Sequence, residues 1–180
     1  MVKKLKLVTF FTLFFLLGTS IQAQTVMTGT AKTDGLQVAD PSFENWSQKF
    51  GKNNDWKESG IREYLNGEFA EMIEKKIGCE LPEFERDLLS MDGQTEYGFC
   101  SDKVSLISVD EYRKYRRFIP NGKDGFWWTI TPDSTKCNND TTCIRVVSPS
   151  GDFINDYYYG LSGVRPFCIF PSSIFESEEE

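Results

Sequence analysis

The last third of the chain sets the strongest limit on its fold. It holds Gly125-Phe126-Trp127-Trp128, then Val146-Val147-Ser148-Pro149-Ser150-Gly151, then Gly163-Val164-Arg165-Pro166-Phe167. Aromatic and β-branched runs of this length, bounded by Gly and Pro, read as strands. Pro149-Ser150-Gly151-Asp152 is a hairpin signal, because glycine accepts the positive φ that tight turns need. Strands are predicted over 126–131, 143–148, 152–154 and 163–170, with the end of the chain closing the core. Side chains alternate along a strand, so Trp127 and Trp128 face opposite sides. On a half-exposed sheet at most one of them lies fully in the core.

The middle of the chain is helical. Ser59 can accept hydrogen bonds from the free N–H groups of a first turn. Ile61, Leu65, Phe69, Met72, Ile73 and Ile77 recur at helical spacing and form one apolar face. Gly78 is a stop. Gly67 inside this helix costs about 1 kcal/mol against alanine, which points to a close packing contact. A short helix is predicted over 82–91, ended by Asp92-Gly93, and a short strand over 103–108. Ser108-Val109-Asp110-Glu111 has capping-box spacing, so a helix runs from Val109 to about Arg116. Arg113, Lys114, Arg116 and Arg117 make it locally basic and read as solvated surface. The fold class is α+β: one domain over 43–175, with two or three helices packed on a small, twisted, mainly antiparallel sheet.

Residues 1–23 read as a secretory signal: Lys3, Lys4 and Lys6, an apolar run from Leu7 to Leu17, and Ala23 at the cut. That run is shorter than the about 20 residues that span a bilayer. No later segment reads as membrane-spanning, so the mature form is expected to be secreted or periplasmic. Residues 24–42 read as a flexible leader or an edge segment, and 176–180 as an acidic tail. The net charge is −7, and the signal carries three lysines and no acid, so the mature charge is −10. Such a surface repels phosphate backbones and excludes nucleic acid as a partner.

The five cysteines all lie in the mature part, in an oxidising compartment if the chain is exported. Cys137 and Cys143 flank a polar turn and are expected to pair. Cys79–Cys100 is the expected second disulfide. Cys168, in an apolar strand, is expected to be a buried, inert thiol.

The chain has no histidine. That excludes Ser-His-Asp and Cys-His catalysis and imidazole metal sites. No phosphate-binding glycine loop occurs. Glu83, Glu85 and Asp87, or Asp110 and Glu111, do not stand out as an acid/base pair. Asn138, Asn139 and Asp140 carry calcium-type oxygens but read as a polar turn. No cofactor and no metal are implied. Asn45-Trp46-Ser47 and Asn139-Asp140-Thr141 match glycosylation acceptors. Aromatic residues make up 14 % of the chain, and Tyr157-Tyr158-Tyr159 cannot all be buried on one face. Rings with a hydroxyl suit sugar or protein recognition. The candidate ligand-binding set is Trp127, Trp128, Tyr157, Tyr158, Tyr159 and Arg165, with Arg165 also read as a structural fork.

The segment from Asn54 to Phe69, with Trp56, Ser59, Arg62, Leu65, Asn66 and Phe69, resembles the first half of a bacterial family of uncharacterised domains. Asp102 to Tyr112 resembles its middle, a strand followed by a Ser-x-x-Glu-Tyr helix. Phe126-Trp127-Trp128 and Gly163-Val164-Arg165-Pro166 resemble its ending, so the likeness runs from about Trp46 to Phe170. The family looks like part of the C-type-lectin-like superfamily, which also holds the formylglycine-generating enzymes. It commonly has an arginine two residues after its Trp-Trp pair; here that position is Ile130. The resemblance implies a lectin-like fold and an exported location. The expected function is a secreted, non-enzymatic binding or interaction domain whose partner is a glycan or protein at the cell surface. The alternatives are a degenerate or distant formylglycine-generating-type enzyme using Cys168 or a reducible cysteine pair, or a structural domain of an envelope or phage-like assembly. Specificity is expected in the loops 132–142 and 155–162.

Overall fold

The computed structural model describes residues 48–119 and 125–171 in full and, as backbone alone, 11–13, 24–27, 31–33, 36–38 and 47. The expected signal, leader and acidic tail, and the Asn45-Trp46-Ser47 acceptor, lie outside the fully described residues. In chain order the strands are β1 Phe11–Leu13, β2 Gln24–Met27, β3 Ala31–Thr33, β4 Leu36–Val38, β5 Ser47–Gln48, β6 Phe84–Asp87, β7 Phe99–Asp102, β8 Val104–Ser105, β9 Trp127–Pro132, β10 Cys143–Val147, β11 Phe153–Tyr157, β12 Ser162–Gly163 and β13 Phe167–Ile169. The helices are α1 Gly60–Tyr64, α2 Ala70–Ile77 and α3 Val109–Tyr115. The class is α+β. A five-stranded sheet has the order β11-β10-β9-β12-β5, and a second has the order β1-β2-β13-β8. In the first, β12 runs parallel to β9 and the other neighbours are antiparallel.

Local chemistry sets the helix ends. The Ser59 hydroxyl accepts from the amides of Ile61 and Arg62 and donates to the Phe50 carbonyl. Gly78 ends α2 at φ 75, a left-handed conformation that glycine adopts without steric cost. Between α1 and α2 the chain makes a π-type turn over Leu65–Phe69, where Gly67 leaves helical geometry at φ −103, ψ −110. A Cβ on Gly67 would meet nothing within 4 Å, so glycine serves the kink here and not the close contact its position predicts. At Ser108 both halves of the predicted capping box form.

Residues 84–87 are a strand, not the expected helix. They pair with β7, Phe84 opposite Asp102 and Asp87 opposite Phe99. A distant partner decides this. Extended backbone carries Arg86 inward, where its guanidinium grips both carboxylate oxygens of Glu111 and lies against the rings of Phe84 and Phe167. The predicted last strand is split into β12 and β13, with Pro166, which has no N–H to give a ladder, in the break.

Trp127 and Trp128 are both buried, against the expectation of one. Helices cover both faces of β9. Trp128 joins the larger core with Phe50, Trp56, Leu65, Phe69 and Val146. Trp127 joins a smaller one with Ile107, Tyr112, Ile119 and Val147, under α3.

Three polar hubs lock these layers. Asp102 accepts from the Trp56 indole and pairs with Arg62, each at 2.7 Å. The Asn66 amide donates to the Val104 carbonyl and its oxygen accepts from the amides of Lys103 and Val104, clamping β8 to the kinked helix. Asn54, fully buried, donates to the carbonyls of Ser134, Asp140 and Cys143 and accepts from the Tyr97 hydroxyl at 2.7 Å.

All five cysteines are free, so neither expected disulfide is formed. Cys137 lies exposed within the 3-10 turn Lys136–Asn138, its amide donating to Glu96, while Cys143 enters β10 opposite Tyr157. The Asn54 amide closes that loop in place of a covalent bridge. Cys79 follows the α2 stop, and Cys100 lies in β7 opposite Arg86 with its sulfur 3.9 Å from both Asp102 oxygens.

Candidate functional site

The exposed aromatic surface begins at the hairpin between β10 and β11. Gly151 takes φ 88, and the Ser148 amide donates to the Asp152 carbonyl at 2.8 Å. β11 then pairs residue for residue with β10, Phe153 opposite Val147 and Tyr157 opposite Cys143. Alternation places Phe153, Asn155 and Tyr157 on one face and Ile154 and Asp156 on the other.

The three tyrosines end this strand and turn away from it. Tyr158 is the anchor: its amide donates to the Thr142 carbonyl, its carbonyl accepts from the Phe50 amide, and its ring packs against the larger core. Its chain neighbours Tyr157 and Tyr159 are 50 % and 52 % exposed. Their rings are parallel within 2° with centroids 5.1 Å apart, and Tyr158 meets Tyr159 edge-on. Asp156 fixes the loop from beneath, accepting from the Tyr157 amide and the Ser162 hydroxyl. Its carboxylate lies 2.5 Å from where a Cβ on Gly160 would stand, so any larger residue there would have to displace it. The Gly160 amide closes the turn onto the Tyr157 carbonyl at 2.7 Å. The stack is therefore held before any ligand arrives. Leu161, 66 % exposed, follows it.

Polar and charged groups continue the same face. Asn155 donates to Asp133, which pairs with Arg145. At the far end the Arg113 guanidinium lies over the Phe153 ring at 5.8 Å. Lys114 lies over Tyr115, Arg116 over Tyr112, and Arg117 over Phe118.

The structure thus divides the predicted ligand-binding set. Tyr157 and Tyr159 are presented, and Tyr158 supports them. Trp127 and Trp128 are interior. Arg165 is buried too, its guanidinium 4.6 Å over the Trp127 ring, where burial pulls its pKa down to about 10. These three build the framework and do not line the surface. Asn155 and Arg113 were not among the predicted residues. The period-two pattern Phe153-Ile154-Asn155-Asp156-Tyr157 was the signal that could have joined Asn155 to the tyrosines.

The other polar loop, 132–142, is saturated from within. The Asp92 carboxylate accepts from Ser90, Ser134, Asn138 and Gln94, and these bonds hold its pKa down at about 2. Among the described residues no group of His, Cys, Asp or Glu is arranged to hold a metal ion. No helix among them is long and apolar enough to cross a membrane.

The profile of a family described as a domain of unknown function (DUF6273) matches residues 19–126. The chain belongs to this family. No curated protein matches the chain, and no solved structure does. The matched range contains Ser59, Arg62, Asn66, Asp102 and Glu111, all of which hold the fold together. The tyrosine stack lies beyond it.

Proposed function

We propose that this DUF6273 member is a non-enzymatic recognition domain of the cell exterior, with a C-type-lectin-like fold, that binds carbohydrate through Tyr157 and Tyr159. One observation carries the reading: two parallel, half-exposed tyrosine rings on a loop pinned by Asp156, Gly160 and Tyr158. A flat ring face suits the C–H face of a sugar, and the phenol hydroxyls suit its hydroxyls. Asn155 and the Asp133–Arg145 pair supply oriented polar groups beside it, as ligand sites require. A preformed platform avoids the ordering cost of a floppy one. The export half of the proposal rests on the signal-like residues 1–23. The lectin-like half rests on the ordered motifs and on the α+β class.

Nothing supports Cys168 as a nucleophile for the enzymatic alternative. Cys168 is fully buried, and burial pushes its thiol up to about 12.

The test is a glycan array followed by calorimetry with the mature protein and with Y157A/Y159A. Binding by the parent and its loss in the double variant, with an unchanged thermal melt, is the expected result. An array with no signal, or a double variant that binds as well as the parent, overturns the proposal.

A further inference from the structure

The Arg113 guanidinium, at the basic end of α3, lies over Phe153, on the sheet face that also carries Tyr157. Arg113, Lys114, Arg116 and Arg117 place four cations within five positions of a chain whose net charge is −7. Arg113, Lys114 and Arg117 are exposed. Each cation lies against an aromatic ring, so their positions are restrained. Arg116 is further tied to the Ser150 carbonyl of the hairpin.

From Arg113 the face runs over Phe153, past Asn155 and Arg145, to Tyr157 stacked on Tyr159. Phe153 to Tyr157 spans about 14 Å at the usual rise of a strand. One linear ligand can touch both ends. The carboxylates near this track have partners, and the exposed Asp152 beside Phe153 accepts from the Ser150 hydroxyl. Asp133 holds Arg145 and Asn155, Glu111 holds Arg86, and Asp156 faces the other side, bonded to Tyr157 and Ser162. Asp110 pairs with Arg113, but both side chains are mostly exposed, at 73 % and 52 %. Such a pair is weak and exchanges readily for a ligand carboxylate.

We infer that the ligand is an acidic polysaccharide bearing uronate carboxylates, with sugar rings on Tyr157 and Tyr159 and a carboxylate at Arg113 and its basic neighbours. This rests on the reading that the tyrosine stack binds carbohydrate and adds the charge of the ligand. Complementarity argues for it. An otherwise acidic surface repels a polyanion, so a cationic strip in line with an aromatic platform selects one that lies along it.

The experiment compares oligogalacturonate with a neutral galactose oligomer of equal length. It uses the parent protein, Y157A/Y159A and the charge-reversed R113E/K114E/R117E. The parent should bind the acidic oligomer at least about tenfold more tightly than the neutral one. That preference should shrink as salt rises from about 0.05 to 0.5 M. R113E/K114E/R117E should lose the preference, and Y157A/Y159A should lose both ligands. A thermal melt unchanged from the parent shows that the charge-reversed chain is folded. Equal binding of the two oligomers, or a preference that survives charge reversal in a folded variant, overturns this inference and leaves the tyrosine reading standing. Binding of neither oligomer overturns both.

Discussion

The indoles of Trp127 and Trp128 leave one strand in opposite directions and end in two separate cores. Trp128 packs edge-on against Phe50 at 5.6 Å and donates its indole N–H to the Gln48 carbonyl at 2.7 Å. Trp127 meets Tyr112 at 5.4 Å, and its indole nitrogen makes no hydrogen bond. The pair ties the α1–α2 layer to the α3 layer through a single strand.

This asymmetry predicts unequal costs for the same substitution. W128F removes ring volume and also leaves the Gln48 carbonyl without its donor, for a loss of about 3 kcal/mol. W127F removes volume alone and keeps a ring beneath Arg165, for a loss of about 1 kcal/mol. Urea midpoints of the two variants decide the matter. Equal destabilisation would mean that the Gln48 bond contributes nothing.

Asn54 gives a second prediction, because one side chain closes the 134–143 loop. N54A takes one donor from three carbonyls, of which Cys143 keeps the Asp133 amide, and leaves the Tyr97 hydroxyl without its acceptor, costing about 3 kcal/mol. N54D should be no milder. A carboxylate cannot donate to carbonyls, and it would stand among their oxygens. Hydrogen exchange should rise across 134–143 in both variants before it rises in β9. Unchanged protection of that loop in N54D would show that other contacts hold it.

What could be read from the sequence was what neighbouring residues decide. Ser59, Gly78, the Ser108–Glu111 box and Gly151 each act within a few positions, and each was legible. The strand at Phe84–Asp87 was not, because Arg86 reaches Glu111 and Phe167, far along the chain. Burial of both tryptophans depends on which helices cover β9, and no local pattern states that. The tyrosine run was visible as a run. Which two rings project was set by Thr142 and Phe50, whose backbones capture Tyr158. The disulfide pairs were read from spacing along the chain, and spacing does not state which groups close the 134–143 loop; the buried Asn54 amide does so through three carbonyls.

Free thiols make a third prediction. In denaturant without reductant, iodoacetamide should add to all five cysteines of the chain. In the native protein near pH 8, Cys168 should stay unmodified, since burial pushes it up to about 12. Cys137 is exposed and should react, though slowly, because the bond to Glu96 raises its pKa. Mass mapping of the adducts reads all of this at once. Native labelling of Cys168 would restore the thiol-enzyme alternative, and a pair missing from the denatured sample would restore a disulfide.

Glu111 gives the last prediction, because one carboxylate serves two structures. It accepts from the Ser108 amide, completing the cap of α3, and it holds the buried fork of Arg86. Burial alone would raise its pKa, but the Arg86 and Ser108 bonds outweigh that and hold it below its ordinary 4.5. A depressed folded pKa means that the contribution is complete above about pH 4.5 and is lost as pH falls through the lower folded value. E111Q keeps an oxygen for Ser108 but leaves Arg86 as a buried cation with half its partner, costing about 3 kcal/mol at neutral pH. The variant should also lose less of its remaining stability on acidification than the parent does. Urea denaturation at several pH values between about 6 and 3 measures both effects. Parallel stability profiles for parent and E111Q would show that the pair does not carry the acid sensitivity assigned to it.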